Sequence, residues 1–132
     1  MQIAHTVQTD DGSVRLNLGD GDSIFDLVAC GANGQEVTVH LGYYEARYLL
    51  GDAGTVRIAM GSGTAAECTT RTLGGVVDRD QRGGEVTFTV DDQAAAYTLT
   101  VADGAGSRTT LAVGGPAHDS LIVGISTMLS QL

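Results

Sequence analysis

The chain has 132 residues, 42% of them hydrophobic, with a net charge of −9. The length bounds it to a single domain, residues 1–132, and the apolar share excludes a disordered chain. Its seven cations are all arginines against sixteen carboxylates, a balance that makes nucleic acid an unfavourable partner and a basic protein a suitable one.

Residues 2–8 alternate loosely, with Ile3, His5 and Val7 on one face, and Asp10-Asp11-Gly12 turns the chain. Val14, Leu16 and Leu18 then alternate with Ser13, Arg15 and Asn17, the period of a half-buried antiparallel strand. A third strand over 23–30 is apolar on both faces, with Phe25, Leu27 and Ala29 on one and Ile24, Val28 and Cys30 on the other. It is therefore expected to be a central strand or to be covered on its second face. Asn33-Gly34 predicts a hairpin into Glu36–Leu41, and Gly42 opens a short helix, Tyr43–Leu50, stopped by Gly51 and Gly54.

Beyond it, Val56, Ile58 and Met60 alternate with Thr55, Arg57 and Ala59, which predicts a strand. The threonines of 64–77 favour another strand, bulged at Gly74-Gly75, before a polar loop over 78–84. Strands built on Val86, Phe88 and Val90, on Tyr97, Leu99 and Val101, and on Leu111 and Val113 follow. From Pro116 the spacing of Leu121, Ile125, Met128, Leu129 and Leu132 predicts a long helix.

One offset of 72 aligns residues 12–42 with 84–114 without a gap, with identities at Gly12/Gly84, Val14/Val86, Asp20/Asp92, Leu27/Leu99, Gly34/Gly106, Thr38/Thr110 and Gly42/Gly114. The expected fold is α+β. It is a mainly antiparallel sheet structure made of two tandem units of about four strands and one helix, related as a pseudo-two-fold duplication, with the C-terminal helix packed on the sheet.

Gly61-Ser62-Gly63-Thr64-Ala65-Ala66 matches the GxGxxA pattern of dinucleotide sites, with Asp78 and Asp80 near the place of a ribose-binding acid. The pattern needs a helix after Ala66, and Cys68-Thr69-Thr70-Arg71-Thr72 is a poor one, so a glycine hairpin is expected and no cofactor. The aspartate-rich loops at Asp20 and Asp78 lack the calcium-loop ligands, since Gly31 and Thr89 stand at the bidentate position. His5, His40 and His118 with Cys30 and Cys68 have no zinc spacing, so no metal is expected. His40 is expected to be solvated or hydrogen-bonded, and His118 with Asp119 to act as polar groups at the start of the last helix. No catalytic residue is assigned.

Tyr43, Tyr44 and Tyr48 cluster within six residues, with Arg47 among them. On a helix Tyr43, Ala46 and Leu50 share the face expected to pack on the sheet, while Tyr44 and Tyr48, four apart, share another beside Arg47. Tyrosine and arginine are enriched at binding hot spots, so Tyr44, Arg47 and Tyr48 are the predicted partner-binding residues. The equivalent stretch 115–120 is small and polar.

Two units of four strands plus a helix resemble, in topology alone, the Whirly-like single-stranded nucleic-acid-binding folds. That resemblance implies basic, aromatic strand faces, and the outward strand positions here are mainly Thr, Ala, Asp and Asn. The expectation is a non-catalytic interaction or structural protein, self-associating or a subunit of a larger assembly such as a virion. The alternatives are an acidic immunity or inhibitor protein for a basic partner, and a small-molecule binder or cofactor-free cyclase or isomerase with a pocket between sheet and helices. No apolar run is long enough to span a bilayer and the opening residues carry no signal-peptide pattern, so a cytoplasmic or virion location with free thiols is expected.

Overall fold

Apolar side chains at every second position give each strand one face to bury, and the chain satisfies eight such strands by folding them into two sheets. The computed structural model describes residues 2–74 and 83–132. In chain order the elements are β1 (Ile3–Gln8), β2 (Ser13–Leu18), β3 (Phe25–Cys30), β4 (Glu36–Leu41), α1 (Tyr43–Gly61), β5 (Ala66–Arg71), β6 (Glu85–Val90), β7 (Tyr97–Ala102), β8 (Arg108–Val113) and α2 (Gly115–Gln131). Strands β1 to β4 form one antiparallel sheet and β5 to β8 a second, each in sequence order. The fold is α+β with two similar units, each sheet followed by a helix, and α2 packs on a sheet.

The units repeat closely. From β2 to β6 and from α1 to α2 the starts move from 13 to 85 and from 43 to 115, a shift of 72 in each case. β1 and β5 start at 3 and 66, a shift of 63, so the connection after β5 is nine residues longer than its counterpart. Gly12 and Gly84 owe their identity to crowding. A Cβ at either would lie 2.1 Å from the Cys30 carbonyl oxygen or 1.9 Å from that of Ala102, and those two residues are themselves equivalent. Val28 on the outer face of β3 is buried, as expected for a strand apolar on both sides.

α1 departs from the sequence expectation. It does not stop at Gly51 but runs to Gly61, and the predicted strand over 55–60 is its C-terminal half. Ala46, Leu49, Ala53, Val56 and Ala59 recur at helical spacing and are all buried. Each interior glycine costs about 1 kcal/mol against alanine, whereas burying a valine side chain alone contributes about 1.5–3 kcal/mol. Packing therefore outweighs the two breakers. Beyond the Ser62 C-cap the chain leaves the helix at Gly63, whose φ of 73° suits glycine, with the Gly63 N–H donating to Met60 O (3.2 Å) and the Thr64 N–H to Ala59 O (2.9 Å). The expected bulge at Gly74-Gly75 and the 78–84 loop fall largely outside the described residues.

Neither helix packs mainly on its own sheet. α1 follows the first sheet and lies chiefly against β5 and β6 of the second; α2 follows the second and lies against β1 and β2 of the first. The helices also pack on each other, and buried residues from both sheets and both helices make one continuous core. Side-chain hydrogen bonds anchor each exchange. The Thr70 hydroxyl of β5 donates to the Asp52 carboxylate of α1 at 2.6 Å, and the His5 Nε2–H of β1 donates to the Ser120 carbonyl of α2 at 2.8 Å. The sheets meet at equivalent points on their outer strands, where Ala112 N–H donates to the Asp11 carboxylate (3.0 Å) and Leu73 N–H to the His40 carbonyl (2.9 Å). These contacts occupy polar groups that strand edges otherwise leave open to pairing.

Candidate interaction surface

The N-terminus of α1 is set by Gly42, whose N–H donates to the Glu45 carboxylate at 2.9 Å. This is the backward half of a capping box, and Gly42 has no side chain to make the other half. With that end fixed and Ala46 and Leu49 buried, the 3.6-residue period turns Tyr44, Arg47 and Tyr48 outward, and all three are exposed. Tyr43 departs from its expected place on the packing face, since it too is exposed. It sits at the boundary with α2, its ring 5.6 Å from the Arg47 guanidinium, which also donates to the Tyr43 hydroxyl at 3.4 Å. Tyr43 meets Tyr44 edge to face with centroids 5.5 Å apart. Tyr43 thus touches both Arg47 and the Tyr44 ring, contacts that reduce the freedom these side chains lose on binding.

The exposed apolar side chains extend beyond this cluster. Tyr43, Tyr44, Tyr48, Ile58 and Val123 are 45%, 69%, 67%, 73% and 58% exposed, and all five lie on the two helices. Tyr44, Tyr48, Gly51, Thr55 and Ile58 follow one another at spacings of four and three, forming an uncharged stripe along α1. Ile58 escapes a sequence reading that ends the helix at Gly51, although this spacing was there to find it. Beside the stripe Tyr43, Arg47, Leu50, Leu129 and Ser130 line a cleft of about 480 Å³. The start of α1 therefore lies beside the end of α2. Across both helices, the exposed charged residues are Arg47 and Asp119.

Other candidate chemistry resolves into structural parts. Gly61 to Ala66 is the end of α1 and its exit into β5, so the GxGxxA match opens no helix and the expected glycine hairpin is also replaced; Asp78 and Asp80 lie outside the described residues. Asp103 accepts the Ala105 and Ser107 N–H groups at 2.9 Å, as turn aspartates do. His40 Nδ1 is 2.6 Å from the Asp26 carboxylate, directly across from it in the register, beside a shallow cleft of about 290 Å³ that Asp22 and Ser23 also line. His118 is no end-group of α2: it is buried, and its Nδ1 shares a hydrogen bond of 2.8 Å with the Tyr97 hydroxyl. Burial, with Arg57 assisting against Asp119, depresses the His118 pKa, and burial raises that of Tyr97, so the bond joins two neutral groups. Cys30 and Cys68 are free, in different sheets, and burial followed by the carboxylates of Asp52 and Glu67 raises the Cys68 pKa, away from a reactive thiolate. Among the described residues no three His, Cys, Asp or Glu side chains gather as a metal site, and no helix is long and apolar enough to cross a membrane.

The outer face of the second sheet carries Thr69, Thr87, Thr100 and Thr110 in one row across all four strands. Short β-branched residues suit a solvated strand face and present no stacking rings, and Arg71 and Arg108 share this face two residues from the row. No family model matches the chain, and comparisons with curated proteins and with solved structures return no match.

Proposed function

We propose that this protein is a non-catalytic interaction protein, a subunit that works through protein–protein contacts made by its helical layer around Tyr44, Arg47 and Tyr48. The observation that carries this reading is the concentration of exposed large apolar side chains on the two helices of a chain whose net charge is −9. Such a chain has carboxylates enough to solvate a free surface, and apolar patches rimmed by polar residues mark contact sites. Tyrosines and an arginine pinned by a ring contribute area at small entropic cost.

The test uses extract of the native source. The protein is expected to elute from size exclusion in a particle well above its 13.5 kDa, and a Tyr44→Ser/Tyr48→Ser/Ile58→Ser variant with an unchanged circular dichroism spectrum is expected to elute as the free chain. Elution of the unmodified protein as a 13.5 kDa monomer in that extract sinks the reading.

A further inference from the structure

The helical layer has a second property, its charge arrangement. Arg47 and Asp119 are the exposed charged residues of the two helices, and they occupy equivalent positions, since 119 minus 47 is the 72 that relates α1 to α2. The exposed charges of the layer thus balance on a chain of net charge −9, and they stand at equivalent places in the two similar units. Two copies of so acidic a chain repel each other wherever carboxylates face carboxylates, and this layer is a face where they need not. It also carries the complement of itself.

Resting on the interaction reading above, we propose that the occupant of this surface is a second copy of the chain, packed helix layer against helix layer about a two-fold axis. An axis lying in the plane of contact and perpendicular to the line from Arg47 to Asp119 brings each Arg47 opposite Asp119 of the partner subunit. The contact is then isologous, with two ion pairs formed by one operation, as closed two-fold symmetry requires. Small residues at the exposed positions Gly51, Thr55 and Ser126 let the two layers approach, and the Tyr44, Tyr48 and Ile58 side chains supply the apolar area.

The area is sufficient for a specific contact of modest strength. Nineteen residues at about 1.5 Å each and two helices side by side give a layer about 28 Å by about 20 Å, roughly 550 Å² per copy and 1,100 Å² in total, just above the ~1,000 Å² expected of a specific interface. Contacts of this size bind in the micromolar range or tighter according to how well their central residues pack. A basic partner, by contrast, finds a single exposed carboxylate on the two helices, Asp119.

Sedimentation velocity of the purified full-length chain, alone and over a range of concentration, tests the proposal. A reversible dimer is expected, persisting at 0.5 M salt because the contact is mainly apolar. Arg47→Asp and Asp119→Arg should each weaken it at least tenfold, and the double exchange Arg47→Asp/Asp119→Arg should restore it to within threefold of the unmodified chain. These are surface positions, so circular dichroism should be unchanged in all three. A dimer that both single variants weaken and the double does not restore overturns the pairing. A purified chain that stays monomeric at about 100 μM, well above a micromolar dissociation constant, overturns the second copy as occupant. In that case assembly in native extract, if still abolished by the serine variant, leaves the broader reading intact, and loss of association in high salt there marks the partner as basic.

Discussion

Phe25 and Tyr97 occupy equivalent places in β3 and β7 and both are fully buried, yet their surroundings differ in kind. In the first unit the position in α1 equivalent to His118 is Ala46, and both partners are apolar. In the second, Tyr97 and His118 form a buried hydrogen bond with rings at 84°, and Phe88 meets the Tyr97 ring at 66°. The two helix contacts differ in a similar way. Where α1 meets β5 the helix supplies the polar side chain, Asp52; where α2 meets β1 its equivalent is Gly124, and the sheet supplies His5. The repeat therefore conserves shape and register while leaving each unit to solve polarity separately. Inward apolar side chains fix register, because a one-residue slip would expose all of them, whereas a polar pair inside the core needs only to be mutually satisfied.

The comparison is broken most severely at Gly124. A Cβ there would lie 2.4 Å from His5 Cδ2 and 2.8 Å from Leu16 Cδ1, so Gly124→Leu should lift α2 from the first sheet and destabilise the protein by about 3 kcal/mol in urea melts. A loss under 1 kcal/mol would show that α2 does not sit so closely.

Next comes the buried pair. Tyr97→Phe leaves His118 Nδ1 without its hydrogen-bond partner and should cost about 2 kcal/mol, whereas Tyr97→Phe/His118→Leu, which makes both partners apolar as in the first unit, should recover most of that loss. Equal losses in the single and double variants would mean the hydroxyl matters only as volume. Protonation exposes the same pair. An unfolded imidazole takes up a proton below about pH 6.5, while folded His118, its pKa lowered by burial, refuses it. The His118 contribution is complete above that pH and is lost progressively as the pH falls towards the lowered folded value. The stability difference between the unmodified chain and the double variant should therefore shrink from pH 7.5 to pH 5.5, and a difference independent of pH would remove His118 from the account.

The smallest effects sharpen the contrast between the helices. Where α2 has Val123 and Ser126, α1 has Gly51 and Gly54, and a Cβ at either glycine would meet nothing within 4 Å. Gly51→Ala and Gly54→Ala should each stabilise the protein by about 1 kcal/mol. If neither raises the melting temperature, the glycines serve a close approach by another molecule or a backbone geometry that alanine disturbs.

Those two glycines also mark the limit of what the chain reveals by itself. Strands such as Val14–Leu18 and Tyr97–Val101 are legible because alternation is local, and α2 because its apolar spacing is unbroken. In α1 the local signals conflict. Gly51 and Gly54 read as stops, and Val56, Ile58 and Met60 alternate as well as any strand. The decision lies with the buried row Ala46, Leu49, Ala53, Val56 and Ala59, whose small side chains give a weak apolar signature on paper and a close fit against the second sheet. Tyr44, Arg47 and Tyr48 are legible as exposed because they precede the first glycine. Ile58 is hidden by the same glycines that argue for a helix end at Gly51, and the match of Asp119 to Arg47 emerges only once both helices have their bounds. The Tyr97 to His118 bond spans 21 residues and the choice of sheet by each helix spans more, and neither leaves a periodic trace.

The exchange of helices bears on how the molecule is made. His5 and its carbonyl partner on Ser120 are separated by 115 residues. At about 5–20 residues per second, the inner face of β1 and β2 waits on the order of 10 s at the ribosome for the helix that covers it. During that interval Val14, Leu16 and Leu18 have no partner from α2, and β1 can be displaced by another strand. A nascent chain of this design is most open to misassembly while its first half is synthesised and its second half is not, and a holdase at the exit tunnel should raise its yield more than one added after release.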